Sequence, residues 1–300
     1  MPRTPANAQQ VELEYETFGD PADPALLLVM GLGAQLLSWP EGLCEILAEQ
    51  HRFHVIRFDN RDSGLSTFVD QGPQPDVGAI LHGDPSSAPY LIGDMALDAC
   101  ALLDALGVRR AHVVGASMGG MIVQQLAIDH PERVLSLCSI MSRPGDRVSG
   151  NATPEAGAVL MRPRGAGREA AIDAGVTAYQ VIGSPGYPDD PAALRARVAA
   201  GYDRSSRPDG FLRQFAAIVA SPDRTPGLRR LTVPTLVIHG SDDPLIHRSG
   251  GEATAEAVPG AELLVLPGMG HSLPQELWAG IAEAVAANAA RATAIPDQSA

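Results

Sequence analysis

The chain has 300 residues, 45% of them apolar and 19% charged, enough to bury a sizeable core in one large domain or two small ones. Its 22 positive and 35 acidic residues give a net charge of −13, and nothing supplies the basic stripe that a nucleic-acid partner requires. All 22 positive residues are arginine; without lysine, a Walker A phosphate loop, a protein kinase, a pyridoxal phosphate Schiff base and a Ser-Lys dyad are excluded, because each needs a lysine nitrogen.

In chain order, MPRTPANAQQ has no hydrophobic region, so no secretory signal is expected. Residues 11–18 alternate as a half-exposed strand, a turn follows at 19–24, and ALLLVM (25–30) reads as a buried strand. The longest apolar run, Ala25 to Ala34, covers about half of the ~20 residues of a membrane span, so no membrane partner is expected. A helix is predicted over 40–50, a strand over 53–59, a long helix over 91–106 ending at Gly107, a strand over 111–116, a helix over 121–128 and a strand over 134–140. Strands at 235–239 and 262–267 and a helix at 277–290 close the pattern, with a frayed tail over 292–300. Alternating strands and helices predict an α/β fold with a mostly parallel central sheet flanked by helices. Between 141 and 230 the rhythm breaks into helical pieces at 168–182, 191–202 and 210–220. The expected organisation is therefore a core of residues 1–140 and 231–300 with a mostly helical cap inserted at 141–230.

The sharpest local signal is Gly115-Ala116-Ser117-Met118-Gly119, which follows one predicted strand and opens a helix. A G-x-S-x-G turn of this kind holds its serine in strained geometry with the hydroxyl exposed, and larger side chains two residues away on either side would collide. The helix start offers the Met118 N–H to a developing oxyanion. Neither this turn nor Gly31-Leu32-Gly33 completes a dinucleotide fingerprint. A nucleophilic serine needs a base, and the base needs an orienting acid. The strand at 235–239 runs into Gly240-Ser241-Asp242-Asp243-Pro244, and the strand at 262–267 runs into Gly268-Met269-Gly270-His271. Ser117, Asp243 and His271 thus fall in the chain order Ser, Asp, His, each at the carboxyl end of a strand. Asp243 is preferred to Asp242 because it abuts the proline that turns the chain away. A second oxyanion donor belongs in the loop after the first buried strand, where Gly31 permits the turn and the Leu32 N–H is the candidate.

Other polar residues read as structural. His51 and His54 have an H-x-x-H spacing but no acidic partner in helical register, so no metal is expected. His239 and His247 read as structural, and Asp59, Arg61, Asp62 and Gly64 form a polar turn expected to pin loops near the site. Cys44, Cys100 and Cys138 are odd in number and lie in apolar stretches; they are expected as buried free thiols in a reducing cytoplasm.

With these residues in view, the chain resembles the α/β-hydrolase superfamily along nearly its whole length, and within it the aclacinomycin methylesterase-like esterases of actinobacterial polyketide metabolism. The segments that carry the resemblance are PADPALLLVMG (21–31), HVIRFDNRDSGLST (54–67), AHVVGASMGG (111–120), VPTLVIHGSDDP (233–244) and LPGMGHSLP (266–274). It implies Ser117 as nucleophile, Asp243 as acid, His271 as base, and Leu32 and Met118 as oxyanion donors. Residues 141–230 depart from those esterases. The expected activity is cofactor-independent hydrolysis of a small-molecule carboxylic ester by a monomer or homodimer. Perhydrolysis, amide hydrolysis or carbon–carbon bond hydrolysis by the same triad is the alternative, and a ligand-binding receptor on a hydrolase fold is the reading outside enzymes. Gly31, Trp39, Leu245, Phe211 and Phe215 are expected to touch a sizeable apolar or ring-containing substrate.

Overall fold

A computed structural model describes residues 1–70, 74–162 and 165–293; the expected frayed tail lies outside them from residue 294 onward. Seven strands form one sheet: β1 (Tyr15–Phe18), β2 (Ala25–Val29), β3 (His54–Phe58), β4 (Ala111–Ala116), β5 (Val134–Ile140), β6 (Thr235–Gly240) and β7 (Glu262–Leu266). Their order is β1-β3-β2-β4-β5-β6-β7. β1 pairs antiparallel with β3, and every other pairing is parallel. Antiparallel pairing at one edge of a parallel sheet is common in this architecture.

Eleven α-helical segments accompany the strands among the described residues. They are α1 (Glu41–Glu45), α2 (Val77–Leu81), α3 (Ile92–Ala105), α4 (Met118–Asp129), α5 (Pro154–Leu160), α6 (Arg168–Ile182), α7 (Pro191–Arg204), α8 (Pro208–Ala220), α9 (Thr225–Leu228), α10 (Ser249–Ala257) and α11 (Trp278–Thr293). The helix expected over 40–50 is real but changes hand-hold midway: α1 continues as a π turn from Ile46 to Gln50. Residues 11–14 of the expected first strand lie before β1, and of these Glu14 makes only an isolated bridge to Arg3.

β2 shows why the sheet is buried on both faces. All five of its residues are buried, and their side chains alternate between two cores. Leu27 and Val29 join Met95, Leu103 and Ile122 of α3 and α4 on one face; Leu26 and Leu28 join Leu43 of α1 and Ile281 and Val285 of α11 on the other. Because β4, β6 and β7 run parallel, their carboxyl ends open on the same edge of the sheet. Between β5 and β6 the described residues form helices α5–α9 and no strand.

Candidate active site

Ser117 sits at the junction of β4 and α4 with φ 57° and ψ −120°, a left-handed conformation that costs a non-glycine residue energy. Backbone crowding explains the glycines around it. A Cβ on Gly115 would lie 2.1 Å from the Gly119 carbonyl oxygen, and one on Gly119 would lie 2.0 Å from that of Val29. The turn is held by the Ser117 N–H, which donates to the Ile140 carbonyl at 2.9 Å. The Ser142 hydroxyl donates to the Ser117 carbonyl at 2.7 Å.

The other two residues arrive from the carboxyl ends of β6 and β7. His271 Nδ1 lies 2.7 Å from Asp243 Oδ2, and its Nε2 lies 3.0 Å from Ser117 Oγ. A carboxylate only accepts, so Nδ1 carries the proton and Nε2 is free to accept from the serine hydroxyl. The second oxygen of Asp243 accepts the backbone N–H groups of Leu245 and Ile246, both at 2.9 Å. Asp242, by contrast, is exposed and accepts from the Gly268 N–H at 3.1 Å, outside this chain of bonds. His239 lies beneath the same loop: its Nε2 donates to the Ile246 carbonyl at 2.8 Å and stands 3.6 Å from Asp243 Oδ2. Burial pushes its pKa down, so the ring is a neutral support for the acid loop.

The loop after β2 lies against the serine, since a Cβ on Gly31 would come 2.9 Å from Ser117 Cβ. Two buried amides hold it. Asn60 donates to the Met30 carbonyl at 2.8 Å, and Gln214 of α8 accepts from the Gly33 N–H at 2.7 Å while donating to the Arg61 carbonyl at 2.6 Å. The polar turn after β3 supplies further anchors. Asp59 accepts from the N–H groups of Leu36 at 2.7 Å and Leu65 at 2.9 Å and from Arg204 of α7 at 2.7 Å. A Cβ on Gly64 would strike the Asp59 carboxylate at 2.0 Å. Asp62 takes Arg213 of α8 in a two-pronged pair at 2.6 and 3.0 Å and the Tyr90 hydroxyl at 2.7 Å.

The end of α6 docks on the histidine loop. The His271 N–H donates to the Ile182 carbonyl at 2.7 Å, the Gly270 N–H to the Ser184 hydroxyl at 3.0 Å, and the Gly186 N–H to the Gly268 carbonyl at 2.9 Å. A Cβ on Gly270 would lie 2.0 Å from the Gly183 carbonyl oxygen. None of Ser142, Asn60, Ser184 and Gln214 stands in a motif, and only Asn60, inside the polar turn, had a neighbourhood to signal it.

Above Ser117 and His271 opens a cavity of about 810 Å³. Gly31, Leu32 and Leu245 line it from the core side, with Tyr179, Ile182 and Phe215 from α6 and α8 opposite. Two expected contacts fall elsewhere. Trp39 is 1% exposed and its ring belongs to the core beneath the sheet; the chain turns inward there, and Ser38 and Pro40 take the cavity edge. Phe211 lies one helical turn before Phe215, in an adjoining cleft of about 240 Å³, and backs Phe215 in a stacked pair with centroids 6.5 Å apart. The Met118 side chain is buried, and its backbone begins α4 directly after Ser117.

Matches to known proteins agree with this fold. The family model described as the alpha/beta hydrolase fold matches residues 24–275. The chain belongs to the α/β-hydrolase family. This hydrolase is 32% identical to rhodomycin D methylesterase DauP of Streptomyces sp. (strain C5), over 98% of this chain and 100% of the relative. It is 30% identical to 3-oxoadipate enol-lactonase 2 of Acinetobacter baylyi, over 86% of each. Among solved structures, a hydrolase from Pseudomonas aeruginosa superposes with a TM-score of 0.69 at 25% identity, covering 97% of both chains. The three cysteines of the hydrolase are free and buried; burial pushes the Cys44 thiol up to about 12 and that of Cys100 up to about 11, which leaves them poor nucleophiles. No helix among the described residues is long and apolar enough to cross a membrane, and no group of three His, Cys, Asp or Glu among them is placed to hold a metal ion.

Proposed function

We propose that this hydrolase cleaves a carboxylic ester without a cofactor, through an acyl-enzyme on Ser117. The observation that carries this reading is the unbroken chain from Asp243 to His271 to Ser117, at 2.7 and 3.0 Å, opening into the cavity. His271 Nε2 takes the serine proton as Oγ attacks the ester carbonyl, and Asp243 steadies the imidazolium. The Met118 and Leu32 N–H groups receive the oxyanion, His271 returns the proton to the leaving alcohol, and water activated by His271 releases the acid. The two relatives, a methylesterase and an enol-lactonase, support an ester-type bond. Residues 141–230 serve as the cap and residues 1–140 and 231–300 as the core. The buried thiols support a cytoplasmic setting. Whether one copy or two assemble, each carries its own triad.

The cavity rewards apolar area at about 25 cal/mol per Å² removed from water. Its Leu32, Leu245, Ile182 and Phe215 lining therefore supports esters with sizeable apolar or ring-containing groups over acetates. The decisive experiment is hydrolysis of a chromogenic ester series by the wild type and by Ser117→Ala. Activity that rises with substrate size and disappears with Ser117 is expected. Turnover of amides or peracid formation in preference to ester hydrolysis would favour the same triad with another reaction. Binding with no turnover of any ester would favour a receptor.

A further inference from the structure

The cavity beside Ser117 is mostly apolar, yet charged or titratable side chains line it, and among the described residues every cation and carboxylate there but one is paired, capping a helix or exposed. Arg197 is held by both oxygens of Asp189 at 3.0 Å and lies over the Tyr179 ring at 5.4 Å. Asp190 caps α7 through the Ala192 and Ala193 N–H groups at 3.1 and 2.8 Å. Glu276 is exposed at the rim, and His271 belongs to the triad. The exception is Arg143. Among the described residues it has no carboxylate within ion-pair distance, and its guanidinium makes only two long contacts, to the Gly150 carbonyl and Asn151 Oδ1, each at 3.4 Å. The nearby Asp146 is already occupied by the Val148 and Ser149 N–H groups at 3.0 and 2.9 Å and by the Ser149 hydroxyl.

Arg143 is also held in place. It stands three residues beyond the end of β5, next to the Ser142 that braces the Ser117 turn. Its carbonyl is fixed by Arg224 at 3.1 Å. Its stem is walled by two glycines: a Cβ on Gly250 would lie 2.8 Å from Arg143 Cβ, and one on Gly150 would lie 3.1 Å from Arg143 Cβ and Cδ. Burial pushes its pKa below the usual arginine value, and the charge of Asp146, which lies beyond ion-pair distance, offsets this only in part. A half-buried cation with no carboxylate in ion-pair contact is incompletely compensated, and an anion that arrives beside it gains a charge-assisted partner. The net charge of −13 repels anions at long range, so only a local cation of this kind would draw one into the cavity.

We propose that Arg143 binds a free carboxylate on the substrate, so that the ester cleaved at Ser117 carries an acid group beside its apolar body. This rests on the ester-hydrolase reading and narrows its substrate class. The test is titration calorimetry of 2-naphthoate against its neutral match 2-naphthamide at pH 7.5, on the wild type, Arg143→Ala and Arg143→Lys. Naphthoate should bind the wild type about tenfold to a hundredfold more tightly than the amide, the size of one hydrogen-bonded charge pair. That advantage should vanish in Arg143→Ala and return in part in Arg143→Lys. Equal binding of acid and amide by the wild type overturns the proposal without any variant, and so does an undetectable affinity for naphthoate at millimolar concentration. An advantage that survives Arg143→Ala places the carboxylate on His271 or the oxyanion donors instead and overturns it too. Hydrolysis of 4-nitrophenyl butyrate by the wild type and Ser117→Ala is run in parallel. Loss of the Ser117 dependence sinks the ester-hydrolase reading, while the calorimetry still scores Arg143 by itself.

Discussion

At the scale of single residues, the strained Ser117 turn makes two expectations sharp. Ser117→Ala or His271→Ala should lower kcat by roughly 10⁴–10⁶, because the three groups act as a unit. Asp243→Asn should also be severe, while Asp242→Asn should change kcat little, since Asp242 takes the Ser241 hydroxyl and the Gly268 N–H but not His271; steady-state kinetics of the four variants on one chromogenic ester checks the ranking. Gly119→Ala should cost at least about 3 kcal/mol, because its new methyl would lie 2.0 Å from a backbone oxygen that cannot swing aside. A urea midpoint indistinguishable from the wild type would contradict that. These residues were legible in the sequence because backbone geometry dictates their types. Trp39 and Phe211 were not. Which way a loop tryptophan turns, or which of two phenylalanines one helical turn apart meets a cavity, is set by packing from distant elements that no local pattern encodes.

Among the elements, α8 shows how the inserted helices are tied to the sheet. Its Arg213 answers a fully buried Asp62, and its Gln214 bridges the loops that carry Gly33 and Arg61. Arg213→Met should therefore cost about 3–5 kcal/mol in denaturant unfolding, the penalty of stranding a buried carboxylate. Adding Asp62→Asn should recover part of it, a coupling that a double-mutant cycle measures. The positions of α6, α7 and α8 were readable from helical spacing of apolar residues. By contrast, α10 is built from SGGEATAEA, whose small residues give little apolar period, and α5 is a short run begun by Thr153 and Pro154; neither carries a helical apolar pattern in the sequence. The long connections from α8 to the Asp62 turn were invisible for a different reason: they join residues about 150 positions apart.

For the molecule as a whole, the buried histidines set the acid side of its stability. His112 is packed against Phe53 within the sheet and its pKa is pushed down to about 4 by burial. The unfolded chain takes up that proton near the ordinary histidine value of about 6.5, so this contribution is complete above that pH and is lost as pH falls towards 4. His239 acts in the same direction. Unfolding free energy should thus fall by about 3 kcal/mol across this window on account of His112, and His112→Gln should flatten the slope by a similar amount. Matching slopes for variant and wild type would refute the assignment. The class of fold was plain from the alternation of strands and helices, but the strand order β1-β3-β2-β4-β5-β6-β7 was not, because periodicity says which face a strand buries and not which neighbour it chooses.

The seam where α6 meets the histidine loop bears on how such a scaffold can be rebuilt. Three backbone-anchored bonds and a glycine-to-glycine contact fasten residues 182–186 to 268–271, so this stretch travels with His271 rather than with the helices over the cavity. The first turns of α7, tied chiefly by exposed ion pairs such as Arg197 with Asp189, carry no comparable obligation. A graft that exchanges residues 187–200 for another sequence should keep hydrolysis of small esters and change which large ones are accepted. A graft that also replaces 182–186 should lose both, because it removes a support of His271 along with the roof. The boundary between what can be swapped and what must stay thus runs through the inserted helices rather than around them.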